Sequence, residues 1–281
     1  MSDLDSAIAG HYAGSRGTLA ATILAALAKM GRNTEQIDPD DLIGIDEFHM
    51  GGRDATVLVG EHLALQPAEH LLDLGSGIGG PARYFARSFG CRVTGIDLTP
   101  AFVEAARDLT QRTGLADRVT FELGSVTALP YPAASFDAAT LIHVGMNLPD
   151  KTAMAAEAAR VLKPGGRLLI YDAMRTGPGE LGFPVPWSKQ PETSFLETPQ
   201  AYRSALERAG LRVENERNHR ALAQAFFARL RERMASPSPP ALSLGVLLGD
   251  AAKPAFANLT AALEAGRVAP VELLCRKPGK A

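Results

Sequence analysis

Four glycines follow one apolar segment closely, and an acidic residue lies about twenty positions beyond them. The segment LLDLGSGIGGPARYFA spans residues 71–86, and its first glycine is Gly75. Glycine permits positive φ and lets a ligand approach the backbone. A helix that begins at such a turn offers N–H groups and its positive dipole end to an anionic group. Asp97 lies 22 residues after Gly75, where an acid commonly holds a ribose, so the spacing predicts a site for an adenosine-type cofactor.

The elements around this turn alternate between strand and helix patterns. Amphipathic segments such as GPARYFARSFG, which stops at Gly90, separate short apolar runs. Such alternation predicts an α/β fold with a mainly parallel, doubly wound sheet. The predicted strands are HLLDL, CRVTGIDL, RVTFELG, SFDAATLIH, RLLIYDA, LRVENER and the final PVELLCRK.

The two ends of the chain and one insertion differ from this core. Residues 175–197 are rich in proline and glycine and carry the only tryptophan, and the sequence on either side of the core has helical patterns. We therefore predict a single domain (residues 1–281) made of four consecutive parts. These are an N-terminal helical lid (1–53), a cofactor-binding core (54–218), a helical cap (219–268) and a last strand (269–277).

Composition excludes several classes of protein. The 281 residues are 46% hydrophobic and 21% charged, with a net charge of −2 and no long basic run, so neither nucleic acid nor a membrane is an expected partner. The N-terminus lacks a signal-peptide pattern, and the apolar stretch TLAATILAALAKM is too short to span a bilayer. Cys91 and Cys275 form no CxxC pair, which argues against a zinc site and for the reducing cytoplasm. The sequence is compatible with a homodimer.

Four segments in order carry a family resemblance. LLDLGSGIGG, GIDLTPAFVEAA, GSVTALPYPAASFDAATLIHVGMNLPDK and RVLKPGGRLLIYDA resemble the motifs of class I S-adenosylmethionine (SAM)-dependent methyltransferases. The resemblance covers about residues 46–218 and the strand VELLCRK. DEFHMGGRDAT and GGPARYFA are most similar to the sarcosine/dimethylglycine methyltransferases and to the quinone-ring methyltransferases. The family resemblance implies a Rossmann-like seven-stranded sheet with an antiparallel last strand.

The resemblance also implies cofactor contacts. The N–H groups of the glycine turn would meet the carboxylate of SAM, and Asp73 would lie near its ammonium. Asp97 would accept the ribose hydroxyls, and Leu98 would pack on the adenine. Ser125 departs from the family, which often has Asp at this position to accept from the adenine amino group. The full cofactor set is Asp73, Gly75, Ser76, Gly77, Gly79, Asp97, Leu98, Ser125, Val126 and His143.

Candidate catalytic residues are His143, at the end of the fourth strand, and His49, in the glycine-rich break EFHMGG. The alternatives are a hydrogen-bonded polar residue for His143 and a surface-loop histidine for His49. The small-molecule acceptor is predicted to contact an aromatic lid and a loop after the fourth strand. The predicted acceptor-binding residues are Tyr12, His49, Met146, Asn147, Phe183 and Trp187.

The implied reaction is an in-line displacement of the methyl group from a sulfonium. Its leaving group is neutral, so alignment and desolvation would lower the barrier and no metal is expected. The sequence leaves open whether the acceptor atom is N, O or C, and a base matters only where the acceptor loses a proton. Two other interpretations are a SAM-binding scaffold without turnover and a nicotinamide-dependent oxidoreductase.

Overall fold

The seven predicted strands form one sheet. A computed structural model describes residues 19–236, 242–244 and 252–279. Short apolar runs with β-branched residues become its central strands, because both of their faces are buried. The strands are β1 (His70–Leu74), β2 (Arg92–Asp97), β3 (Val119–Leu123), β4 (Phe136–Ile142), β5 (Leu162–Arg175), β6 (Arg212–Asn218) and β7 (Val268–Arg276).

The strand order is β3-β2-β1-β4-β5-β7-β6. Strands β1 to β5 pair in parallel, whereas β7 runs antiparallel to both β5 and β6. The predicted fold class, with its antiparallel last strand, is confirmed. Because β1 has β2 on one side and β4 on the other, the order reverses there. Ligands of doubly wound sheets bind at the carboxyl ends of strands beside such a reversal.

Helices cover both faces of the sheet. They are α1 (Leu19–Lys29), α2 (Ile43–Asp46), α3 (Gly52–Leu63), α4 (Gly80–Phe89), α5 (Pro100–Arg112), α6 (Lys151–Val161), α7 (Pro199–Arg208), α8 (Arg220–Met234) and α9 (Ala252–Glu264). One buried cluster joins α6 and α7 to the sheet, and another joins α3, α4 and α5 to its opposite face. None of these described helices is long and apolar enough to cross a membrane.

The segment before α3 is fastened to the core by a buried ion pair. Arg83, on α4, is fully buried and donates to Asp46 Oδ1 at 2.6 Å. A Cβ on Gly80 would lie 2.3 Å from the backbone oxygen of Asp46, so only glycine permits this approach. The pair fixes the position of the residues that follow Asp46.

Helices α8 and α9 form a cap with the loop after β5. Trp187, Phe227 and Leu259 belong to one buried apolar cluster that also includes Met50 and Met146. The cap therefore packs on the segment before α3 and on the loop after β4. The division into four parts stays a prediction.

Candidate active site

A cavity of about 430 Å³ opens at the carboxyl ends of β1, β2 and β4 and extends beneath the cap. Its volume is in the range of small-molecule sites. One end is lined by the glycine turn and acidic residues, and we call it the polar half. The other end is lined by side chains of the buried cap cluster, and we call it the apolar half.

The glycine turn in the polar half uses its N–H groups within the protein. Gly75 and Ser76 donate to the carbonyl oxygen of Ile96, at 2.8 and 3.0 Å. Gly77 donates to Asp97 Oδ2 at 2.8 Å. These three N–H groups are paired with oxygens of β2, and their contact with an anionic group of a cofactor stays a prediction.

Glycine at two positions of the turn leaves space that a side chain would occupy. A Cβ on Gly75 would lie 2.3 Å from Val144, whereas one on Gly77, at φ +54°, would meet nothing within 4 Å. Both residues line the cavity. Gly79, by contrast, does not line the cavity, and a Cβ there would lie 2.4 Å from Phe121. Its proximity to β3 explains the need for glycine at that position without any ligand.

The two acids at this edge are buried and differ in their partners. Asp73 Oδ1 accepts a hydrogen bond from Thr140 at 2.8 Å, while its Oδ2 is buried and has no donor within the described residues. Burial raises the pKa of Asp73 to about 7. Asp97 accepts from the backbone N–H groups of Gly77 and Thr99, and burial also raises its pKa. Asp73 thus presents an unpartnered acceptor beside the cavity.

The remaining predicted residues of the polar half also line the cavity: Ser76, Leu98, Ser125 and Val126. Ser125 Oγ lies 2.8 Å from Thr127 Oγ1 and also accepts from the Thr127 N–H group at 3.3 Å. The departure at Ser125 therefore places a neutral hydroxyl pair where many family members have a carboxylate.

His143 lines the cavity with both ring nitrogens hydrogen-bonded to backbone. Its Nε2 accepts from the N–H group of Met50 at 3.2 Å, and its Nδ1 lies 3.2 Å from the carbonyl oxygen of Tyr171, to which it donates. Its φ of +52° is unusual for a residue with a side chain. Burial lowers the pKa of His143 to about 4. The ring is therefore neutral and holds Met50 against the end of the sheet.

His49 is buried, so its interpretation as a surface-loop histidine is wrong. Its Nε2 lies 3.0 Å from Thr56 Oγ1, which donates to Glu47 Oε2 at 2.6 Å. Arg53 donates to the other oxygen of the Glu47 carboxylate. Burial lowers the pKa of His49 well below its usual value. His49 also lines the cavity, and its ring centroid lies 5.9 Å from that of His143.

The apolar half contains three of the six predicted acceptor-binding residues. Met146, Asn147 and Trp187 line it, and Trp187 donates its indole N–H to Ser194 Oγ at 2.9 Å. Phe183 does not line the cavity, because it packs against the outer part of the cap cluster. Tyr12 lies outside the described residues.

Sequence reasoning missed several residues at the cavity or behind it. Phe226 and Phe227 on α8 and Phe256 on α9 line the apolar half, and only their helical spacing within an apolar face could have indicated them. Glu47 and Thr56 bracket His49 in the quoted segment DEFHMGGRDAT. Glu47 and Thr56 meet His49 only because the chain turns between α2 and α3, and no hydrophobic periodicity of the sequence predicts that turn.

The sequence of the central part of the chain is similar to the sequences of known methyltransferases. Residues 72–170 match a family model described as a methyltransferase domain. Methyltransferase GfsG from Streptomyces halstedii is 38% identical over 137 residues, which are 49% of this chain and 49% of that protein. The 27-O-demethylrifamycin SV methyltransferase of Amycolatopsis mediterranei is 32% identical over 175 residues, 61% of this chain and 64% of that protein. The chain thus spans less than two thirds of the length of these relatives.

Among solved structures, the [4+2]-cyclase SpnF is 28% identical, with a TM-score of 0.62 over 80% of this chain and 81% of that one. Sarcosine/dimethylglycine and phytyl-hydroquinone methyltransferases also match. The sheet order and the glycine turn define a Rossmann-like methyltransferase fold. By sequence and fold, the chain is similar to class I SAM-dependent methyltransferases, and the sequence match to a methyltransferase domain covers residues 72–170.

Proposed function

We propose that this protein transfers a methyl group from SAM to a small-molecule acceptor and releases S-adenosylhomocysteine. One observation carries the proposal. Among the described residues, the cavity at the carboxyl ends of the strands has a buried Asp73 oxygen without a hydrogen-bond partner at one end and an apolar chamber at the other. Such a cavity can hold a charged cofactor and an apolar acceptor against each other.

The residues of the polar half fit SAM. Asp73 Oδ2 is an unpaired acceptor for the ammonium group, and Asp97 retains free lone pairs for the ribose hydroxyls. The open space at Gly77 leaves room for the ligand close to the backbone. When bound, SAM supplies a methyl group on a positively charged sulfur. The protein's part is to hold this cation beside buried acids, out of water.

The apolar half orients the acceptor and excludes water. Met146, Trp187 and Phe226 line a region that the cap encloses. Because the leaving group is neutral, the rate depends mainly on alignment of the two reactants and on desolvation. We propose His49 as a catalytic residue, because it lines the cavity beside His143 at the end of β4. We propose that His143 positions the Met50 segment, because both of its ring nitrogens are engaged.

The direct test is product analysis. The purified protein is incubated with SAM and with a panel of hydroxyl, amine and enol acceptors, and S-adenosylhomocysteine and the methylated product are measured by mass spectrometry. We expect equal amounts of both products for at least one acceptor class. Tight SAM binding without any methylated product would overturn the proposed activity.

A second candidate activity comes from one comparison. The [4+2]-cyclase SpnF shares this fold at 28% identity over most of both chains. An apolar chamber of the kind seen here would also suit a substrate that cyclises without methyl transfer. Conversion of a polyene substrate to an isomer of unchanged mass, in the absence of SAM consumption, would favour this alternative. The methyltransferase domain match makes it the weaker candidate.

We also propose that the chain acts as a single domain in the cytoplasm. The buried free thiols of Cys91 and Cys275 support a reducing environment. The homodimer stays a prediction, which light scattering would test.

A further inference from the structure

We propose that the acceptor is a neutral, largely apolar molecule methylated at a hydroxyl group, and that Nδ1 of His49 takes the hydroxyl proton. Glu47 and Thr56 act as positioning residues that fix the tautomer of His49. This inference rests on the proposed function and names the substrate class of the same site. It follows from the hydrogen-bond pattern around His49 and from the charges along the cavity.

The tautomer follows from counting protons. Burial raises the pKa of Glu47, whereas the charge of Arg53 and the hydrogen bonds from Arg53 and Thr56 favour its carboxylate form. Thr56 donates its one hydroxyl proton to Glu47 Oε2 at 2.6 Å. Thr56 Oγ1 can then only accept from His49 Nε2, 3.0 Å away. His49 therefore carries its proton on Nε2 and keeps a lone pair on Nδ1. Within the described residues, no donor is hydrogen-bonded to that Nδ1.

His143 has the opposite tautomer. Its Nε2 accepts from the Met50 N–H group and its Nδ1 donates to Tyr171 O. Neither ring nitrogen of His143 therefore has a free lone pair that could take the hydroxyl proton of the methyl acceptor. Two histidines of the described residues line the cavity, and of these His49 can take a proton without breaking a hydrogen bond to the backbone.

The charges along the cavity exclude ionic acceptors. Within the described part of the chain, the lining contains no lysine or arginine, so nothing there would pair with a carboxylate or phosphate. Each acidic residue that the structure places in the lining already has a partner or lies in the polar half. Asp46 is paired with Arg83, Asp150 caps α6, and Asp73 and Asp97 lie in the polar half. A zwitterionic amine would find no partner for either of its charges.

The remaining lining favours an apolar molecule. The aromatic and aliphatic side chains beneath the cap are Met146, Trp187, Phe226, Phe227, Phe256 and Leu259. They offer no free polar atom, because the indole N–H of Trp187 already donates to Ser194. The imidazole of His49 and the side chain of Asn147 are the polar groups that the described lining places near an otherwise apolar acceptor, and of the two the imidazole can take a hydroxyl proton.

The proposed step balances. As the acceptor oxygen forms its bond to the methyl carbon, the carbon–sulfur bond breaks and its electron pair stays on sulfur. The hydroxyl proton passes to Nδ1 of His49, which becomes an imidazolium beside the Glu47 carboxylate. The positive charge thus moves from sulfur to the imidazole, where the Glu47 carboxylate, 3.6 Å from Nε2, opposes the burial and the Arg53 charge that lower the pKa of His49. Loss of the proton to solvent restores the starting state.

The first experiment reads the tautomers without turnover. Long-range ¹H–¹⁵N spectra of ¹⁵N-histidine-labelled protein are assigned with His49→Gln and His143→Gln. We expect a protonated Nε2 in His49 and a protonated Nδ1 in His143. Thr56→Val should abolish the single tautomer of His49, and Thr56→Ser should restore it. The same tautomer in both histidines, or an unchanged His49 in Thr56→Val, would overturn the relay.

The second experiment tests the acceptor class with matched probes. 2-Naphthol, 2-naphthoate and N,N-dimethylglycine are titrated calorimetrically into protein saturated with S-adenosylhomocysteine. We expect 2-naphthol to bind at least about tenfold more tightly than either charged probe. Equal or tighter binding of naphthoate or dimethylglycine would overturn the assignment.

The two proposals fail in different ways. Absence of SAM binding by the folded protein would remove the proposed function itself. SAM binding with product formation from an amine, but not from a hydroxyl, would leave the proposed function intact and remove only the substrate class. In the same assay Thr56→Val should lower kcat at least about tenfold with little change in SAM affinity, and Thr56→Ser should recover it.

Discussion

The two halves of the cavity are built from different kinds of sequence. The polar half comes from strand ends and turns between residues 73 and 127, and it holds buried acids and glycines with special backbone angles. The apolar half collects side chains from five separate places between residues 48 and 259. A charged ligand needs particular atoms at particular points, whereas an apolar ligand needs shape. The difference suggests a constant cofactor beside a chamber that can be adapted to its acceptor.

The largest expected effect is loss of SAM binding in Asp73→Asn. The substitution keeps the acceptor for Thr140 but removes the charge that would pair with the ammonium group. Removing one partner of a buried charge pair costs about 2–5 kcal/mol, so we expect at least roughly 30-fold weaker binding by calorimetry.

Asp172→Asn is the matched control for this variant. Asp172 is also fully buried, and its pKa is also raised to about 7 by burial, but it does not line the cavity. It accepts from the hydroxyl of Tyr202 at 2.8 Å. Equal losses of affinity in Asp73→Asn and Asp172→Asn would show that general disruption, not the polar half, explains the effect.

Gly77→Ala should weaken SAM binding about tenfold or more. Its Cβ would occupy open cavity space, and at φ +54° it also adds strain of about 1–2 kcal/mol. Gly165→Ala separates the two effects, because Gly165 has φ +79°, open space around it and no part in the cavity. Thermal unfolding should shift similarly in both variants, and only Gly77→Ala should lose affinity. Unchanged affinity in Gly77→Ala would place the cofactor elsewhere.

SAM affinity should depend on pH through Asp73. Because burial raises its pKa to about 7 in the free protein, Asp73 is protonated in acid and must lose its proton to pair with a cation. Affinity should therefore fall as pH decreases from 7 to 5.5, by up to about tenfold per pH unit. Calorimetry over this range should show the slope in the wild type. A similar slope in Asp73→Asn would assign it to another group.

Phe226→Ala should affect the apolar half alone. The half-buried ring lines the chamber, and its loss should raise the KM of an apolar acceptor about tenfold while SAM affinity stays constant. Phe89→Ala is the control. Phe89 is also half-buried, but it lies at the end of α4, packs beside Phe85 and does not line the cavity. A raised KM in the control would mean that stability limits the assay.

The smallest expected effect belongs to His143. His143→Ala should lower kcat severalfold and leave SAM binding nearly unchanged, because the ring holds Met50 and touches no reacting group in our account. His143→Asn should lose less, since asparagine tolerates a positive φ. Complete loss of turnover in both variants would make His143 a catalytic base after all.

Much of the fold could be predicted because its signals are local. The strand and helix periods and the glycine turn lie within short stretches, and their alternation predicts a mainly parallel sheet. Pro164 and the two glycines after it are typical of a helix end, but α6 already ends at Val161, where the backbone joins β5. Such boundary differences arise because sheet pairing competes with helix propensity at the junction.

The site was predictable only in part. Asp73 and Asp97 could be named because the family motif places them beside the turn. The pairing of the turn N–H groups with Ile96 could not, because it depends on how β1 and β2 meet. The same holds for the buried state of His49, and for the aromatic residues of α8 and α9, which come together only after the cap has folded.

The most direct test of the two-part cavity is calorimetric titration of SAM into the wild type, Asp97→Ala and Phe226→Ala, each checked for folding by thermal denaturation. Our account predicts micromolar binding in the wild type and in Phe226→Ala and no measurable binding in Asp97→Ala. Retained binding in folded Asp97→Ala, or loss of binding in Phe226→Ala, would contradict the division of the cavity into a cofactor half and an acceptor half.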